Sequence, residues 1–81
     1  MFFLQMLSVA RKNCIDLFDL SIKAYLEDLN ADDRKRIEEI RKETTDLELN
    51  LKSGDRKVAV IQKILETTKE YLAELSEKGG E

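Results

Sequence analysis

The stretch Leu29-Asn30-Ala31-Asp32-Asp33-Arg34-Lys35-Arg36-Ile37-Glu38-Glu39-Ile40 decides how this chain folds, because it ends one helix and begins another. Asn30 is a strong N-cap, and Asp32 and Asp33 suit the positive end of a helix dipole. Beyond them Ile37, Ile40, Thr44, Leu47 and Leu51 recur at steps of three and four, with everything around them charged or polar apart from Leu49. This two-in-seven stripe predicts a helix over about residues 31–52 that shows only one edge to a core.

Upstream, a helical period runs from about Leu4 to Leu29 through Leu7, Ala10, Cys14, Leu17, Phe18, Ile22, Tyr25 and Leu29. Lys12, Asp16, Asp19, Lys23 and Glu27 lie opposite, while Ile15 and Leu26 widen the stripe enough to touch more than one neighbour. Downstream, Ser53-Gly54-Asp55 is a second break, with Gly54 suited to a left-handed helix end and Asp55 to a cap. A third block over about residues 56–77 carries Val58, Ile61, Leu65, Thr68, Leu72 and Leu75, widened by Val60, Ile64 and Tyr71. Three helices joined by such short breaks fold back on one another. The predicted fold is all-α: an antiparallel up-down-up three-helix bundle over residues 1–78, with residues 79–81 a frayed tail.

Composition narrows the function classes. Among the 81 residues there is no His and no Pro, Cys14 is the lone cysteine, and glycine occurs only at Gly54, Gly79 and Gly80. These counts exclude a catalytic triad, a histidine metal site, an internal disulfide and a glycine-rich phosphate loop. Fourteen Lys and Arg against seventeen Asp and Glu give a net charge of -3, which disfavours nonspecific nucleic-acid binding. No window is apolar enough to span a bilayer, and Met1 to Leu7 lacks the basic flank and small-residue cleavage site of a leader. A single free thiol favours the reducing cytoplasm. The expectation is a non-enzymatic protein that binds other proteins.

Glu39, Glu43 and Asp46 step by four and then three, so they share one helix face, and Asn50 continues the line. Like charges so placed repel by a few tenths of a kcal/mol each, which a hard cation such as Mg²⁺ or a ferric ion would relieve. The plainer reading is a solvated flank offset by Lys35, Arg36 and Lys42. The basic run Arg34-Lys35-Arg36 is interleaved with acids and predicts i,i+4 pairs Arg34–Glu38 and Lys35–Glu39. Glu66, Glu70 and Glu74 form a second acidic line with Lys63, Lys69 and Lys78 nearby, read the same way. Cys14 reads as a small buried hydrophobe, and Tyr25 and Tyr71 as bundle-edge packing.

Two segments carry a resemblance. Leu7-Ser8-Val9-Ala10-Arg11-Lys12-Asn13 leads into a long helix. After the break at Leu29-Asn30-Ala31-Asp32 comes the acidic helix Ile37-Glu38-Glu39-Ile40-Arg41-Lys42-Glu43-Thr44-Thr45-Asp46-Leu47-Glu48. This pattern resembles one three-helix repeat of PhoU-like proteins, including the cytoplasmic region that follows the membrane domain of sodium/phosphate cotransporters. The resemblance implies a module tied to phosphate transport or its signalling, located in the cytoplasm or at the cytoplasmic face of the membrane beside a transporter. It also implies a surface metal ion on a Glu/Asp-x-x-x-Asp signature, whose spacing Glu39 and Glu43 match, whereas Lys42 stands four before Asp46. A full PhoU protein packs two such repeats as six helices. The alternative is a structural adaptor or secretion-type chaperone presenting an apolar helix face to a protein partner.

Self-association follows from the stripes as well. The first and third blocks are apolar over wider arcs than one neighbour requires, and Phe2, Phe3 and Leu4 add apolar surface at one end. Phe18, Ile22, Ile64 and Tyr71 sit on the widened sides and are the expected contacts of a homodimer with six helices.

Overall fold

The computed structural model describes residues 2–51 and 56–79, which form three α-helices: α1 over Phe2–Tyr25, α2 over Ala31–Asn50 and α3 over Arg56–Gly79. The longest dimension, 39 Å, is about that of one 24-residue helix at ~1.5 Å per residue, so the chain doubles back at each break. Direction follows from the packing. The late α1 residues Leu17 and Leu20 meet the early α2 residues Ile37 and Ile40 and the late α3 residues Leu72 and Leu75. At the other end Ala10, Ile61 and Leu65 pack together with Phe3, Met6, Leu7, Leu47, Leu51 and Ile64. The bundle is up-down-up, with α1 and α3 parallel to each other and most extensively packed.

Both sides of the α1–α2 turn are built by specific local hydrogen bonds. Asn30 accepts from the Asp33 amide at 2.8 Å while the Asn30 amide donates to the Asp33 carboxylate at 3.2 Å, a reciprocal capping box. That amide, helped by Lys23, holds the Asp33 carboxyl below its ordinary value of 3.8 against an opposing desolvation effect. The contribution is present at neutral pH and is lost as the medium is acidified below that value. At the α1 end the Asp28 amide donates to the Lys23 carbonyl and the Glu27 amide to the Ala24 carbonyl, which is a Schellman closure. It puts Glu27 at φ 56, the left-handed region where glycine is usual. Glu27→Gly is therefore expected to stabilise the fold by about 0.5–1 kcal/mol, read as a rise in the urea midpoint.

The α2 and α3 stripes are as the sequence predicts, with Ile37, Ile40 and Thr44 buried on α2 and Ile61, Leu65, Thr68, Leu72 and Leu75 on α3. The α1 stripe needs correction. Its inward seam is Phe3, Met6, Ala10, Asn13, Leu17, Leu20 and Ala24, whereas Phe18, Ile22 and Tyr25 are 49%, 46% and 75% exposed. Apolar residues occur at helical spacing on two adjacent faces of α1, and periodicity cannot choose between them. Asn13 in the buried seam disguised the correct one.

Boundaries shift slightly: α1 ends at Tyr25 rather than Leu29, α2 ends at Asn50 rather than Lys52, and α3 continues through Gly79. Phe3, expected to add surface for self-association, packs instead against the Ala10, Ile61 and Leu65 cluster of its own bundle. The Ser53-Gly54-Asp55 break, Met1 and residues 80–81 lie outside the described residues. Among those described, no helix is long and apolar enough to cross a membrane.

Candidate functional site

The two apolar clusters are separated by a polar layer. Asn13 lies between Ala10 and Leu17 on α1, Thr44 between Ile40 and Leu47 on α2, and Thr68 between Leu65 and Leu72 on α3. All three are at most 2% exposed. Each occupies a seam position where an aliphatic side chain would pack. The Thr68 hydroxyl donates to the Ile64 carbonyl at 2.9 Å, one turn back on its own helix. The Thr44 hydroxyl has no hydrogen-bond partner. An unpaired buried hydroxyl costs about 1–3 kcal/mol. Thr44→Val, which keeps the shape and removes the hydroxyl, is expected to stabilise the fold by about 1 kcal/mol in chemical denaturation, whereas Thr68→Val gains nothing comparable.

Asn13 connects the layer to a surface network. Its amide nitrogen donates to Glu43 at 2.9 Å, and its amide oxygen accepts from Arg36 at 2.8 Å. The Arg36 guanidinium also reaches Asp16 at 3.0 Å, Glu39 at 3.4 Å and Glu43 at 3.8 Å. A single cation on α2 thus gathers one carboxylate from α1 and two from its own helix. Arginine suits this place because its planar fork directs several donors at once.

The proposed metal row therefore has a different immediate use. Glu39 and Glu43 turn toward Arg36, and Glu43 also accepts from Asn13. Asp46 is exposed one turn on, where its backbone carbonyl accepts from Asn50. Among the described residues no group of three or more His, Cys, Asp and Glu is arranged to hold a metal ion. The repulsion along the row is relieved from within the chain. The expected pairs Arg34–Glu38 and Lys35–Glu39 are replaced by Arg41–Glu38 at 3.2 Å and Arg36–Glu39, and Lys69 reaches across to Glu48 at 2.9 Å. Arg36 offsets the row as the sequence reading expected, whereas Asn13 and the reach of Arg36 to Asn13 and Asp16 on α1 are what that reading missed. An Asn in register with Ala10, Leu17 and Leu20 was the available signal.

An open groove of about 260 Å³ between α2 and α3 is lined by Glu48, Leu51, Gln62, Leu65 and Glu66. It is smaller than the roughly 300–1,000 Å³ of ordinary ligand clefts, open, and lined about equally by polar and apolar surface, so it is a weak candidate for small-molecule binding. Cys14 is a half-buried free thiol.

No family model, curated protein or solved structure matches this chain. The PhoU-like resemblance stands on the residues quoted for it.

One exposed surface is apolar and has no partner within the described bundle. Asn13, Asp16 and Lys23 contact α2, which fixes the α2 side of α1. At 100° per residue Leu4, Ile15, Phe18, Ile22 and Leu26 then fall on the side toward α3 and outward. Their exposures run from 46% to 67%. On α3, half-exposed Val60 and the partly buried Ile64 and Tyr71 continue the surface. Phe18 and Tyr71 meet edge to face across the α1–α3 seam, with centroids 5.9 Å apart and planes at 64°. Of the four expected contact residues, Phe18 and Ile22 are exposed and Ile64 and Tyr71 are partly buried against their own bundle.

Proposed function

We propose that this chain is a non-enzymatic helical interaction module that pairs with a second copy through the outer face of α1 and α3. The observation that carries the reading is the apolar strip on that face, centred on the Phe18–Tyr71 pair. At roughly 150–200 Å² for a full apolar side chain, six exposed residues (Leu4, Ile15, Phe18, Ile22, Leu26 and Val60) present on the order of 500–700 Å². That is a large share of the ~800 Å² per partner in a standard interface. Pairing two copies gives a six-helix assembly like the body of the resembled PhoU-like family. A regulatory role in phosphate transport beside a membrane transporter is the setting which that resemblance implies.

Sedimentation equilibrium at micromolar concentration tests the reading. The expected mass is twice 9.4 kDa for the native chain, and Ile22→Glu, with helix content retained by circular dichroism, is expected to return it to the monomer. A native monomer overturns self-pairing and leaves the face for a different protein, as in the adaptor alternative.

A further inference from the structure

We infer that the two copies pair antiparallel, the amino-terminal half of each α1–α3 face lying on the carboxy-terminal half of the other. This rests on the self-association proposed above and specifies how the partner sits.

The argument begins with charge. Residues 2–14 of α1 contain Arg11 and Lys12 and no acidic residue, and Lys63 stands at the same level of the parallel helix α3. The upper half of the pair carries Asp19, Glu70 and Glu74. Lys23 and Lys69 there are taken by α2, Lys23 by Asp33 at 3.2 Å and Lys69 by Glu48 at 2.9 Å. Arg11 and Lys63 make the face basic at one end and Glu74 makes it acidic at the other, with Lys12, Asp19 and Glu70 on its outer flanks and the apolar strip running between.

The helix dipoles sharpen this division. Acidic residues are favourable near a helix amino terminus and basic residues near the carboxy terminus. Neither α1 nor α3 has an acidic residue in its first turn. Because α1 and α3 are parallel, their positive ends coincide at the basic end of the face and their negative ends at the acidic end. Side-chain charge and backbone dipole add rather than offset. A parallel second copy would set like ends together, whereas an antiparallel copy neutralises both ends with one operation. A two-fold axis between Ile15 and Phe18 on α1, level with the Thr68–Tyr71 turn of α3, does this and keeps the strip on itself, the self-complementary arrangement of an isologous dimer. It carries Arg11 of each copy to the level of the other's Glu74.

Charge reversal read by sedimentation equilibrium is the test. Arg11→Glu alone and Glu74→Lys alone are each expected to weaken the dimer several-fold at low salt, and the double variant to recover most of the loss. A second measurement uses Cys14→Ser with one spin label at Ser8→Cys or at Thr67→Cys. At ~1.5 Å per residue from the axis, the antiparallel dimer separates the Ser8 labels by about 25 Å and brings the Thr67 labels much closer. Single reversals that leave the dimer unchanged, no recovery in the double variant, or equally short distances at both positions would each overturn the antiparallel arrangement while leaving self-association in place. A native monomer overturns both.

Discussion

Leu17→Ala is expected to remove about 2–5 kcal/mol of folding stability, a large part of the roughly 4–12 kcal/mol available to a chain of this length. Leu17 is fully buried at the point where all three helices contribute to the upper cluster, so few neighbours are free to collapse into the cavity. Ile40→Ala and Leu65→Ala, also at buried seam positions, are expected in the same range. The contrast is Phe18→Ala: a larger side chain by volume, but half exposed, and expected to cost the monomer much less. Urea unfolding followed by circular dichroism reads these differences, at fixed protein concentration because self-association adds to apparent stability. Near-neutral values at two of the three buried sites would mean that the helices face one another differently.

Arg36→Ala is expected to cost about 1–3 kcal/mol, less than a fully buried ion pair because the side chain is 27% exposed. Removal leaves the buried Asn13 oxygen without its donor and three carboxylates without their shared cation. Glu39→Ala, by contrast, deletes one exposed partner and is expected to change stability by no more than about 0.5 kcal/mol. A double-mutant cycle between Asn13 and Arg36 isolates the coupling, expected at about 0.5–2 kcal/mol. A cycle that closes to zero would show that the network contributes nothing beyond its separate side chains. Lysine at position 36 is expected to recover only part of the loss, since an ammonium cannot aim separate donors at Asn13 and Asp16 as the guanidinium does.

How legible each helix was depended on how much its polar residues constrained it. α2 was readable almost residue by residue, because Ile37, Ile40, Thr44 and Leu47, continued by Leu51 just past its end, form its one regular stripe, and Leu49 is the one large apolar residue off it. α3 was readable because Val60, Ile64 and Tyr71 widen the stripe of Ile61, Leu65, Leu72 and Leu75 on one side only. α1 was not, since Leu17 and Phe18, Leu20 and Ile22, Leu4 and Met6 offer two seams of equal quality. Tertiary packing chose between them, through neighbours that lie far along the chain. The carboxylate row and its compensation by Arg36 were legible, but the link to α1 was not, because Arg36 reaches Asp16 across a helix boundary that spacing within α2 cannot reveal. The aromatic pair Phe18–Tyr71 was foreseen only as two residues on widened stripes.

The parallel, closely packed pair α1 and α3 has a consequence for synthesis. Ala10 finds Ile61 and Leu65 only after a segment of about 50 residues has been closed into a loop. While the chain is being made, α1 is complete long before its main packing partner exists. The intervening α2 covers just one edge of it. Docking of the helices on one another is therefore expected to wait until the last helix is available. Throughout that interval both apolar seams of α1 are open to neighbouring chains. A nascent-chain truncation before residue 65 is expected to remain uncompacted and prone to aggregate, and protection of α1 amides from exchange is expected to rise abruptly once α3 can close upon it.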